Sequence, residues 1–131
     1  MLYVDANIIL RYILCDNDEL AESAKAIVDA STIFITTEVL AEVVYVLSSV
    51  YNYTREETKD ALITFIDDSS CGLINHEVVV KSLEIYSDTV FDFVDCILAA
   101  YATVGGAKVA TFDRKLQDYI ESALEEVTDK A

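Results

Sequence analysis

Residues 33–51 read IFITTEVLAEVVYVLSSVY. The first five are β-branched and apolar, the composition of a strand buried on both faces. The rest, 38–51, is apolar for too long to be a second strand and predicts a buried helix. A strand that runs straight into a helix is the unit of a parallel sheet, because parallel neighbours need a crossover between them. The same alternation appears on both sides. LYV at 2–4 predicts a short buried strand ending at Asp5, with Asn7 as N-cap of a helix carrying Ile8, Ile9, Tyr12 and Ile13. Residues 19–30 place Leu20, Ala24, Ile27 and Val28 along one side of a second helix. Downstream, Thr54 and Glu57 form a capping box that opens TREETKDALITFIDD. Gly72–Asn75 is a candidate third strand, 77–87 a helix, and 91–106 (FDFVDCILAAYATVGG) a helix stopped by Gly105 and Gly106. AKVATF at 107–112 reads as the last strand, a short helix begins near Arg114, and the charged stretch from about 120 to 131 is expected to fray. The predicted fold class is α/β: one domain over 1–131, with a short central parallel sheet of four or five strands flanked by helices.

Composition agrees. The chain has 131 residues, 53% of them apolar, and no proline, which suits one compact domain without a linker. A chain of this size buries roughly 68% of its unfolded surface and needs no disulfide or structural metal to fold. Cys15, Cys71 and Cys96 are odd in number and far apart, so they are read as reduced thiols rather than a disulfide framework or zinc knuckle. Asp5, Asn7 and Arg11 interrupt the apolar N-terminus, which excludes a signal peptide or membrane span there and predicts a cytoplasmic protein. Nine Lys and Arg against 24 Asp and Glu leave a net charge of −15. Such a surface repels nucleic acid and anionic membranes, and attracts cations or a basic partner.

Some of that charge stands in informative places. In open parallel sheets ligands bind beyond the carboxyl ends of the strands. Asp5 and Asp113 each follow a predicted strand, and Glu42 and Asp95 lie on the early turns of predicted helices, so the four are expected to converge on one edge of the sheet. Each also has an ordinary reading. Asp5 suits a turn or a negative charge favourable to the next helix's dipole, Asp113 could cap the next helix, Asp92 and Asp95 suit the N-cap and third position of a helix, and Glu38 suits a first turn. Glu42 fits worst, because its neighbours Leu40, Ala41, Val43 and Val44 predict burial, where a carboxylate needs a charge partner or a metal. Convergent carboxylates repel one another, and a divalent cation relieves that repulsion. Mg²⁺ or Mn²⁺ is satisfied by carboxylate oxygens and water, with no histidine or thiolate. The lone His76 follows a candidate strand and reads as a surface or capping residue. Without a Ser-His or Cys-His pairing or a glycine-rich phosphate loop, metal-assisted hydrolysis is the chemistry these residues permit.

VDANIILRYIL at 4–14, TTEVLAEVVYVLSSVYNYTREE at 36–57, DFVDCILAAYA at 92–102 and VATFDRKL at 109–116, in that order, resemble PIN-domain ribonucleases, and more closely the VapC-like toxins of toxin-antitoxin pairs. The resemblance covers nearly the whole chain. It implies a single PIN-like domain and an Mg²⁺- or Mn²⁺-dependent endoribonuclease whose acidic quartet is Asp5, Glu42, Asp95 and Asp113. Asn7, Thr111 and Asp92 fall on supporting positions. The implied reaction is attack of an activated water on phosphorus, leaving a 5′-phosphate and a 3′-hydroxyl. The implied partners are an RNA substrate, a basic antitoxin and a second copy of the chain. Arg11, Lys108, Arg114 and Lys115 are the cations nearest the acids in sequence and the candidates for RNA contact, with surface solvation as their ordinary role. Tyr45 and Tyr51 read as core residues, with a dimer or antitoxin groove as the alternative.

Three other readings compete. A haloacid-dehalogenase-type phosphatase needs a second Asp where this chain has Asn7, and a receiver domain needs adjacent acids where it has Asp5-Ala6. A PIN scaffold that binds metal and partners without turnover keeps every ligand and is separated only by an assay.

Overall fold

The computed structural model describes residues 2–15, 18–73 and 75–130. The chain forms two compact units, Met1–Ile74 and Asn75–Ala131.

The first unit is α/β. Its strands β1 (Leu2–Tyr3), β2 (Ile33–Phe34) and β3 (Cys71–Gly72) lie in the order β1-β2-β3, all parallel. Leu2 pairs with Ile33, and Ile33 with Cys71. Val4 N–H donates to Phe34 O at 3.3 Å and Ile33 N–H to Ser70 O at 2.9 Å, extending the ladder beyond the strands themselves. Helices α1 (Ala6–Leu14) and α2 (Asp18–Ala30) form the first crossover, α3 (Thr37–Ser49) and α4 (Arg55–Asp68) the second. Gly72 is required by close approach: a Cβ there would stand 2.5 Å from Cε1 of the Phe34 ring on the neighbouring strand. Ile9, Ile33, Leu40, Val43, Leu47, Leu62 and Phe65 are fully buried, and Tyr12 meets Phe65 edge-on at 5.0 Å. The capping box is present: Glu57 N–H donates to Thr54 Oγ1 at 3.0 Å and Thr54 N–H to Glu57 Oε1 at 2.9 Å.

The second unit is helical. It comprises α5 (His76–Asp88), α6 (Phe93–Thr103) and α7 (Arg114–Lys130), with α6 packed against both others. Val78, Leu83, Ile85, Cys96, Ala99, Ala100 and Leu116 fill its interior. Edge-on pairs join Tyr86 to Phe93 and Phe91 to Tyr119. The run of alanines on α6 lets a neighbouring backbone approach closely. After α6, Gly105 N–H donates to Ala100 O at 3.2 Å, and Gly106 takes the left-handed φ of 69° that glycine tolerates best.

Several expectations change. The sheet has three strands among the described residues rather than four or five, because 107–112 forms no ladder. β3 begins one residue earlier than predicted and stops at Gly72; of the rest of the predicted strand, Ile74 lies outside the described residues and Asn75 is the N-cap of α5 rather than strand. Leu2 and Tyr3 are exposed, so burial on β1 begins only with Val4. Asp5, not Asn7, caps α1. On α2, Ala24 and Val28 are buried but Leu20 and Ile27 are exposed, a narrower stripe than the pattern implied. The last helix is long, α7 continuing to Lys130. No helix among the described residues is long and apolar enough to cross a membrane.

Candidate metal centre

In the first unit Asp5 sits two residues beyond β1 and accepts a hydrogen bond from Ile8 N–H through Oδ1 at 3.1 Å. One carboxylate oxygen thus caps α1, and the exposed side chain retains acceptor capacity. Thr36 caps α3, accepting from Val39 N–H at 3.1 Å, which sets Glu42 in the second turn beyond β2. Because β1 and β2 are parallel neighbours, both acids follow the carboxyl end of the sheet. Glu42 is exposed, against expectation. The physical reason is rotational: α3 buries Leu40, Val43, Val44 and Leu47, which turns Glu42, Tyr45 and Ser49 together to the opposite side. Tyr45, expected in the core, is 68% exposed for the same reason, and Tyr51 is half-buried. Burial therefore gives Glu42 no need of a charge partner or a metal. Glu38 is exposed in the first turn as expected. Asn7 is exposed on α1 and Arg11 half-buried on its last turn. Two clefts of this unit, of about 380 Å³ between Tyr12, Tyr53, Phe65 and Asp68 and about 430 Å³ between Tyr12, Cys15, Glu22 and Lys25, involve none of the predicted acids.

The second unit carries the other predicted acids. Asp92 is the N-cap of α6 by backbone geometry, yet its side chain makes no capping hydrogen bond. Capping therefore does not explain this residue. Asp95, half-buried on the first turn, has its carboxyl pushed above the ordinary range by burial first, then by the charges of Asp92 and Asp113. Asp113 caps α7: its Oδ1 accepts from Leu116 N–H at 3.1 Å, and Gln117 N–H reaches its carbonyl at 3.0 Å. Thr111 supports it from behind, its Oγ1 accepting the Asp113 N–H at 3.1 Å. The Gln117 side-chain amide in turn donates to Thr111 O. The 111–117 segment is thereby tied down at both ends of the acid.

The structure thus places Asp95 within reach of the charges of Asp92 and Asp113 and sets Asp5 and Glu42 beyond neighbouring strands. Among the described residues, no group of three or more His, Cys, Asp or Glu is gathered closely enough to hold a metal ion as it stands. The donor chemistry nevertheless fits a hard cation: every member is a carboxylate, and Asp95 is held in an environment that an added positive charge would relieve. His76 is exposed at the start of α5 behind its own cap, Asn75. Lys108, Arg114 and Lys115 are exposed on either side of the Thr111–Asp113 turn. Between them stands a residue the sequence reading passed over, Phe112, with 105% of its surface open to solvent. The available signal was an aromatic residue placed between two residues assigned to the site.

Among curated proteins, the VapC ribonuclease of Aquifex aeolicus (strain VF5) is 27% identical over 86 residues, 65% of this chain and 64% of that protein. The match therefore spans a little under two thirds of the relative's length. No solved structure matches the chain. A family profile for the PIN domain matches residues 2–121, almost the whole sequence. With its parallel strands, its carboxylates beyond the strand ends and this match across nearly its full length, the chain belongs to the PIN domain family.

Proposed function

We propose that this protein is a divalent-metal-dependent endoribonuclease, acting as the toxin of a toxin-antitoxin pair. The observation that carries the reading is Asp95. It is half-buried at the head of α6 and loaded by the charges of Asp92 and Asp113, an arrangement that is unfavourable without a cation. Similarity to a VapC ribonuclease supports the choice of RNA. By the chain's resemblance to PIN-domain ribonucleases, Asp5, Glu42, Asp95 and Asp113 would supply the oxygens that hold Mg²⁺ or Mn²⁺, and Asn7, Asp92 and Thr111 would support them. When bound, the ion supplies an activated water and charge for the phosphate oxygens. Thr111 holds the Asp113 backbone, so that this carboxylate is oriented before substrate arrives. Arg114 and Lys115 draw in phosphate, as does Arg11 in the first unit. A basic antitoxin suits a chain of net charge −15. Homodimer assembly and a reducing cytoplasmic setting belong to the same reading.

Structured RNAs incubated with Mn²⁺ and with chelator provide the test. Cleavage is expected only with the metal, and Asp5→Asn and Asp95→Asn should each abolish it while circular dichroism stays unchanged. Full activity in either variant overturns the assignment. Metal binding without cleavage of any RNA returns the protein to the silent-scaffold reading.

A further inference from the structure

Phe112 is the most exposed large apolar side chain described in this protein, at 105% of its reference surface. A phenyl ring normally ends in a core. The residues on both sides are held: Thr111 by Asp113 N–H and by the Gln117 amide, and Asp113 by Leu116 N–H at 3.1 Å. The ring is therefore presented from a braced turn. Its immediate neighbour Asp113 acts on Asp95 through its charge, and the next two residues, Arg114 and Lys115, are exposed members of a set of only nine Lys and Arg. Four consecutive residues thus offer an aromatic face, a carboxylate and two cations.

That combination matches an unpaired nucleotide. A base stacks on an aromatic face in a sequence-tolerant way, and nearby cations track the backbone. We propose that Phe112 is a specificity-determining residue that stacks on an unpaired base next to the phosphate to be cut. The occupant rests on the nuclease reading above. Stacking requires the base to be free of its complement, so the residue favours single strands and loops over duplex. It also offsets the chain's overall negative charge, because stacking needs no phosphate neutralisation.

The chain contains no tryptophan, so Phe112→Trp introduces a single indole reporter at this position. This variant would be titrated, in chelator and at low ionic strength, with a single-stranded RNA 12-mer, the corresponding duplex, and inorganic polyphosphate. Saturable quenching by the single strand, with much weaker quenching by duplex and polyphosphate, is expected. In Mn²⁺-dependent cleavage, Phe112→Ala and Phe112→Leu should raise KM by about tenfold to a hundredfold with kcat largely kept, and Phe112→Trp should behave like the wild type. Leucine retains apolar contact but not the ring face, so wild-type KM in Phe112→Leu overturns the proposal. Equal quenching by polyphosphate overturns it too. So does a change in molecular mass in solution for Phe112→Ala with KM unaltered, which would assign the ring to a second copy of the chain. If the wild type cuts no RNA at all, the nuclease reading fails, and the fluorescence titration of Phe112→Trp still decides the stacking by itself.

Discussion

Replacing Asp95 with Asn should change how this protein answers a metal more than how it folds. Asp95 carries a raised carboxyl because burial and the charges of Asp92 and Asp113 disfavour its ionised form. A group whose folded pKa lies above its unfolded value stabilises the fold fully only below the unfolded pKa, and that contribution is lost as pH rises through the folded pKa. Above its folded pKa the ionised Asp95 is thus a burden on the metal-free fold, and there Asp95→Asn should melt at the same temperature as the wild type or slightly higher. Metal reverses the sign. An ion that binds only the folded state at about ten times its Kd stabilises by RT ln 11, about 1.4 kcal/mol. With an unfolding entropy of about 2.1 cal/mol/K per residue, a chain of 131 residues has about 0.28 kcal/mol/K in total, so the midpoint should rise by about 5 °C. Differential scanning calorimetry with and without Mn²⁺ reads this directly. Asp95→Asn should lose most of the rise, whereas Glu121→Gln, on the exposed side of α7, should keep it and so control for diffuse binding to an acidic surface. An equal Mn²⁺ shift in Asp95→Asn and wild type would refute the reasoning, because the ion would then bind elsewhere.

Other consequences concern the scaffold. Thr58 is wholly buried and its hydroxyl has no hydrogen-bond partner among the described residues, so Thr58→Val should stabilise by about 1 kcal/mol in urea titration. Gly72→Ala drives a methyl into the Phe34 ring and should destabilise by about 1–3 kcal/mol. Most of that loss should disappear in a Phe34→Ala background, and a double-mutant cycle showing no coupling would contradict the contact. Cys15 is exposed, whereas burial pushes the Cys71 thiol up to about 11 and Cys96 is buried. Iodoacetamide at pH 8 should therefore label Cys15 first and reach the other two only on unfolding, as mass spectrometry would record.

Local chemistry was readable wherever the deciding partner lay within one turn. The Thr54 and Glu57 box and the stop after Thr103 depend on residues three or four positions apart and appear much as expected. At 33–51 the order of strand then helix holds, but the strand shrinks from 33–37 to Ile33–Phe34 because Thr36 caps α3, which runs Thr37–Ser49. Asp113 as a cap and Asp95 in a first turn were legible for the same reason. Strand 107–112 was not, since a strand exists only if a neighbour supplies its hydrogen bonds, and AKVATF carries no information about that neighbour.

The sequence by itself determined the α/β class of the first unit, the helix starts at Thr54, Asp92 and Arg114 and the positions of the acids along the chain, because periodicity and capping are local. Tertiary structure alone decided which way those residues face. Glu42 and Tyr45 sit in an almost wholly apolar helix, and only the packing of Leu40, Val43, Val44 and Leu47 into the core turned them outward. Asp95 needed the approach of α7 before Asp113 could act on it. Phe112 would pass for another core aromatic until the braced turn around it is seen to leave it open. Burial and charge coupling depend on residues far apart in the chain, and no local pattern encodes them.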